Sequence, residues 1–120
     1  MIQFKPGEIN IICSSLEQSR RFYCDVLGFE PVSEEGGAVH LQCSGRLYLL
    51  LPVAARPAGS PPYCAQPEFS MDLMVAEIEA AAAYLRDHQV TFVRAWHPGA
   101  VSFIIRDPDG LVWEIIQQNA

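Results

Sequence analysis

The sequence is short of charge, and the charge it has leans acidic. Of 120 residues only 18% are Asp, Glu, Lys or Arg, with 8 basic against 14 acidic side chains and a formal net charge of −6. No Lys/Arg cluster offsets that balance. This argues against a nucleic-acid or anionic-membrane partner, which is held by neutralising phosphates. No apolar run is long enough to span a bilayer. Met1-Ile2-Gln3-Phe4-Lys5-Pro6-Gly7-Glu8 has neither the basic start nor the apolar stretch of a secretory signal, so a cytoplasmic protein is expected. The four cysteines, Cys13, Cys24, Cys43 and Cys64, form no C-x-x-C pair and have no His at zinc-finger spacing. They read as reduced thiols, mostly small core residues, with nothing beside them to mark an activated thiolate.

What is present is enough for one globular domain: half of the residues are hydrophobic. The most informative stretch is Arg106 to Gln117. Asp107-Pro108-Asp109-Gly110 is a polar turn, with Pro presetting φ, Asp capping through its side chain and Gly supplying a positive φ. The runs on either side, Val101 to Ile105 and Leu111 to Ile116, read as the two strands of a hairpin. Glu114 lies inside the second run among Val112, Trp113, Ile115 and Ile116. A carboxylate there needs a partner, a metal or a wet cavity.

In chain order, Glu8 to Cys13 alternates and reads as a strand. Ser15 with Gln18 three residues later forms a capping-box pattern. Leu16 to Val26 then reads as a helix with Leu16, Phe22, Tyr23 and Val26 available for burial, and Gly28 ends it. Phe29 to Val32 is a short strand, at an edge or kinked because of Pro31. Gly36-Gly37 turns the chain, and Ala38–Cys43 and Leu47–Leu51 are two more strands. Pro52 to Pro67, with five prolines, breaks the pattern as a linker or long surface loop. Beyond it the order repeats: strand Phe69–Val75, helix Ile78–His88 with Ile78, Ala81 and Leu85 on one side, strand Val90–Val93, then the hairpin.

The repeat aligns residue against residue. Cys13-Ser14-Ser15-Leu16-Glu17 matches Val75-Ala76-Glu77-Ile78-Glu79, Phe22 matches Tyr84, and Leu49 matches Glu114. The expected fold is therefore α+β: two β-α-β-β-β modules forming a cupped mixed sheet around a cleft, with the helices outside. The module bounds are about 1–52 and 68–120, with a linker at about 53–67, all within a single domain of residues 1–120. The cleft is the expected ligand site.

Ser14 to Phe29, with Ser-Leu-Glu-Gln-Ser-Arg-Arg-Phe-Tyr followed by Val26-Leu27-Gly28-Phe29, resembles the first helix of the vicinal oxygen chelate superfamily. That group contains glyoxalase I, bleomycin-resistance, fosfomycin-resistance and extradiol-dioxygenase proteins. Phe103-x-x-x-Asp107-Pro108-Asp109-Gly110-x-x-x-Glu114 is similar to the closing hairpin of the same family. The resemblance implies a divalent metal held at four strand positions, one from the first and one from the last strand of each half. Counted from Leu16 and its repeat mate, those positions fall on Glu8, Leu49, Ser70 and Glu114. Glu8 and Glu114 are thus the candidate metal ligands, while Leu and Ser are not common ligands of a catalytic divalent ion.

Strand alternation puts Glu8, Asn10 and Ile12 on the cleft side, with Ile9, Ile11 and Cys13 under the helix. Ser70, Asp72 and Met74 are the matching face of the second half, joined by Leu47, Leu49, Leu51, Val112, Glu114 and Ile116. The polar groups can equally be satisfied by arginine, backbone or rim water. Trp96, on the loop before the hairpin, either covers a ligand or caps a core. His40 can point into the cleft and His97 lies near its mouth; for both, a packing or surface role is the simpler reading. His88 suits a helix C-terminus.

Two functions follow. One is a small-molecule binding protein of the bleomycin-resistance kind, without cofactor, holding an organic ligand in the apolar cleft. The other is a divalent-metal-dependent lyase, isomerase or dioxygenase using Glu8 and Glu114. Whether the chain is an enzyme stays open between them, and the resemblance implies a homodimer.

Overall fold

Eight strands and two helices form in the order β-α-β-β-β, repeated once, in a computed structural model whose described residues are 1–119. The first set is β1 (Ile9–Ile12), α1 (Leu16–Arg20, continued by a π-helical segment Arg21–Val26), β2 (Glu30–Glu35), β3 (Ala38–Cys43) and β4 (Arg46–Leu51). The second is β5 (Met71–Val75), α2 (Ile78–Asp87), β6 (Thr91–Arg94), β7 (Ser102–Arg106) and β8 (Val112–Gln117). The chain divides into two compact units, Met1–Arg56 and a second from Pro57 onward.

Each unit carries one four-stranded mixed sheet, in the order β1-β4-β3-β2 and β5-β8-β7-β6. The first and last strands of a unit pair in parallel, Asn10 opposite Leu49 and Asp72 opposite Glu114. The remaining pairings are antiparallel hairpins. The fold class is therefore the expected α+β duplication.

In the first unit the two hairpins turn on residues with positive φ, Gly36-Gly37 and Ser44-Gly45. Two such residues in a row match the twist of a two-residue hairpin loop. Ser15 caps α1, its Oγ accepting from the Gln18 N–H at 3.2 Å. The helix does not stay α-helical as expected. From Arg21 its hydrogen bonds lengthen by one residue, Leu27 N–H reaching Phe22 O and Phe29 N–H reaching Tyr23 O across Gly28 at φ +80°. That wider turn closes an aromatic chain in the core. Phe22 meets Tyr23 edge-on at 4.9 Å between ring centres, and Phe29 lies 5.5 Å from Tyr23 and 5.0 Å from Tyr48. Phe29 is core rather than strand, so β2 starts one residue later than expected and runs on to Glu35. As anticipated from Pro31, β2 is an edge strand, and its register with β3 shifts between Pro31 and Ser33.

The second unit packs α2 on one face of its sheet through Ile78, Ala82 and Leu85; Ala81, placed on that side by the sequence, is only half-buried. Phe103, Ile105, Trp113 and Ile115 supply the buried strand residues. The Asp107 turn behaves as its residues dictate. Asp107 Oδ1 accepts from the Asp109 and Leu111 N–H groups, both at 2.9 Å, and Gly110 takes φ +93°. Within the Pro-rich stretch, the residues after Arg56 belong to the second unit and lie against it.

Candidate functional site

The chemistry-bearing residues fall on the face of each sheet that its helix does not cover. In the first unit, Ile11, Cys13, Val39, Leu41, Tyr48 and Leu50 are buried on the helix side, so their neighbours Asn10, Ile12, His40, Gln42, Leu47, Leu49 and Leu51 form the open face. Asn10, Leu49 and His40 stand side by side in register across β1, β4 and β3. Glu8, just before β1, reaches over this row. Its Oε2 lies 2.6 Å from His40 Nδ1, both side chains being a little under one-third exposed. A carboxylate at that distance accepts a hydrogen from Nδ1, which leaves Nε2 turned away from it. Glu35 Oε2 stands 4.0 Å from that nitrogen. His40 thus lies on the open face, as alternation allows, and pairs with Glu8 there, where a packing or surface role is the simpler expectation from sequence. The signal available in the sequence was its strand parity with Leu49.

In the second unit the open face carries Asp72 and Met74 on β5, Val112, Glu114 and Ile116 on β8, and Ser102, Ile104 and Arg106 on β7. Asp72 and Glu114 are register partners, so two carboxylates stand on adjacent strands. Arg94 joins them from β6. Its Nη2 donates to Ser102 Oγ at 2.6 Å and lies 3.5 Å from Glu114 Oε2. Strict alternation would put Arg94 on the face of Phe92, which stacks with Phe103 at 5.5 Å. A bulge between Phe92 and Arg94 resets the parity and brings the guanidinium over Ile104 to Glu114. Ser70, one residue before β5, has its Oγ 2.9 Å from the Tyr63 hydroxyl. Tyr63 and Arg94 are the contributors that sequence reasoning missed.

Trp96 is half-buried, and its Nε1–H donates to Ala100 O at 2.9 Å within its own loop. His88 does sit at its helix end, Nδ1 2.8 Å from Tyr84 O. Burial raises the Cys24 thiol above its ordinary value, which opposes thiolate chemistry there. Among the described residues no three His, Cys, Asp or Glu side chains converge as a metal-ligand group, and no helix is long and apolar enough to cross a membrane.

The family model for the glyoxalase/bleomycin resistance protein/dioxygenase superfamily matches residues 5–115. The chain belongs to that superfamily. Solved structures of the superfamily's fold align along nearly the whole chain. The fosfomycin resistance protein FosX from Listeria monocytogenes is similar with a TM-score of 0.76 at 9% identity, covering 98% of this chain and 96% of that one. The trypanothione-dependent glyoxalase I of Leishmania major aligns at 0.73 and 17% identity, over 92% of this chain and 84% of its own. Lactoylglutathione lyase from Agrobacterium tumefaciens aligns at 0.64 and 20%, covering 94% and 92%. No curated protein matches. At these identities the likeness establishes the fold.

The superfamily implies a divalent metal, and the residues at the four positions expected to hold it do not fit one. Leu49 has no donor atom. Ser70 offers a neutral hydroxyl already paired with Tyr63. Glu8 is hydrogen-bonded to His40, and Glu114 faces the Arg94 guanidinium. Catalytic zinc sites use three protein ligands, and hard cations want several anionic or carbonyl oxygens. Here two carboxylates remain, each engaged by a group that a cation would have to displace.

Proposed function

We propose that this superfamily member is a metal-independent small-molecule binding protein, acting in the cytoplasm as a homodimer and holding an organic ligand against the open faces of its sheets. The observation that carries the reading is the fate of the four inherited ligand positions. Each is either apolar or tied to a partner within its own unit: Leu49, Ser70 with Tyr63, Glu8 with His40, Glu114 with Arg94. The surroundings suit an organic ligand. Leu47 and Leu51 flank Leu49, and Met74 and Ile116 lie next to Asp72 and Glu114. An apolar surface with a few placed hydrogen-bonding groups is the usual composition of such a site.

Metal analysis of protein purified without chelator tests this directly. The expected result is far less than one divalent ion per chain and no rise in thermal midpoint on adding Mn²⁺, Ni²⁺ or Zn²⁺. One tightly held ion per chain, lost in Glu114→Gln, overturns the reading in favour of a metal-dependent lyase, isomerase or dioxygenase. A screen of small organic molecules in EDTA should yield a stabilising ligand. At one hundred times its Kd such a ligand adds about 2.7 kcal/mol.

A further inference from the structure

The two ends of the second unit's open face are treated differently. At one end Met74 is 61% exposed. At the other Val112 is 3% exposed, although it shares the face of Glu114 and Ile116. Val112 pairs with Arg106 on one side. On its other side stands Ser70, the residue before the Met71–Trp113 pair. Both neighbours hold the same stretch of chain. Tyr63 bonds Ser70 at 2.9 Å, and Arg106 Nη2 donates to Pro61 O at 2.9 Å. The other arm of Arg106, Nη1, donates to Gly110 O at 2.7 Å. Ser60 seats against Gly110, where a Cβ would collide with its Oγ. The segment Ser60–Tyr63 is therefore pinned at three points, on Gly110, Arg106 and Ser70, the residues around Val112.

We propose that Ser60–Tyr63 is a latch over an apolar binding floor centred on Val112, and that Tyr63 holds a place a ligand takes. This deepens the small-molecule reading and rests on it. The occupant it implies is a small, mainly apolar organic molecule with one hydrogen-bonding group, which replaces the Tyr63 hydroxyl at Ser70. The latch is suited to opening as a piece. Pro61 and Pro62 keep it stiff, while Gly59 and Cys64, the latter at φ +70°, bracket it. Its hydrogen bonds are few and exposed, so each contributes modestly. When it lifts, Arg106 stays placed by its bond to Gly110, leaving donors on both sides of Val112.

Chymotryptic cleavage after Tyr63 and binding of the dye 8-anilinonaphthalene-1-sulfonate test the latch together. Ser70→Ala removes the bond and leaves Tyr63 in place; Tyr63→Phe removes the same bond from the other side and remains a cleavage site. Cleavage should quicken about fivefold in either variant, since proteolysis follows the open population. The dye should gain one saturable site per chain, with the thermal midpoint lowered by no more than about 5 °C, the shift that a loss of about 1 kcal/mol gives in a chain of this size. Unchanged cleavage in both variants overturns the proposal, as does faster cleavage with no gain in dye binding. A stoichiometric divalent ion in the metal analysis would instead overturn the underlying reading and leave the latch result standing on its own.

Discussion

Phe22 and Tyr84 hold matching places in the two helices, yet Phe22 is 7% exposed and Tyr84 is 43% exposed. The difference lies in the helix each belongs to. In the first unit the wider turn from Arg21 to Val26 brings Phe22 onto Tyr23 and lets Phe29 close the aromatic chain. In the second unit α2 stays regular, Leu85 takes the buried place, and Tyr84 turns outward to stack on His88 at 4.3 Å. Duplicated units thus share a topology without sharing a packing solution. The same divergence runs through the site. Glu8 and Ser70 are mates, as are Leu49 and Glu114, so each unit retains one carboxylate at opposite ends of the motif. Each carboxylate has acquired its own partner, His40 in one unit and Arg94 in the other.

The comparison can be broken hardest at the centre of the second unit. Trp113 is fully buried, and Trp113→Ala should lower stability by about 3–5 kcal/mol in urea unfolding. A loss under about 1 kcal/mol would show that this unit does not depend on the buried indole. Next is the turn that only the second unit carries. Asp107→Ala strands the Asp109 and Leu111 N–H groups, and a loss of about 2–3 kcal/mol is expected by the same measurement.

The helix starts give a smaller, sharper contrast. Ser15 caps α1 with its own hydroxyl, whereas Glu77 makes no side-chain cap and Gln117 Oε1 accepts from Ile78 N–H at 3.0 Å. Ser15→Ala and Gln117→Ala should therefore each cost about 1 kcal/mol, while Glu77→Ala should change little in thermal unfolding. The smallest effect has the opposite sign. Ser19 is fully buried and its Oγ has no hydrogen-bond partner among the described residues, while its mate in the second unit is Ala81. Ser19→Ala should raise stability by about 0.5–1 kcal/mol, and a clear loss would reveal a partner for the hydroxyl.

Much of this was legible in residue order. The capping Ser15, the Gly28 stop, the edge position of β2 with Pro31 and the Asp107 turn all follow from local chemistry, and the structure has each of them. Counting from Leu16 and from the Asp107 turn led to Glu8 and Glu114 because strand spacing is regular there. His40, Arg94 and Tyr63 were harder to see. His40 depends on a partner 32 residues away. Arg94 changes face only because of the bulge beside it, which no residue type announces. Tyr63 lies in a proline-rich stretch that has no periodicity to read.

Alternation, caps and turn residues act over a few positions, so the sequence by itself determined the duplicated α+β pattern, while the places where a metal would be expected came from the family resemblance that its two motifs carry. What meets the polar residues at those places was decided by tertiary structure alone. A hydrogen-bond partner is set by register across strands, and a single bulge or a docked loop moves that partner without altering the local pattern. Glu114 was readable as a carboxylate among apolar neighbours; the fold supplied the guanidinium at 3.5 Å that answers it.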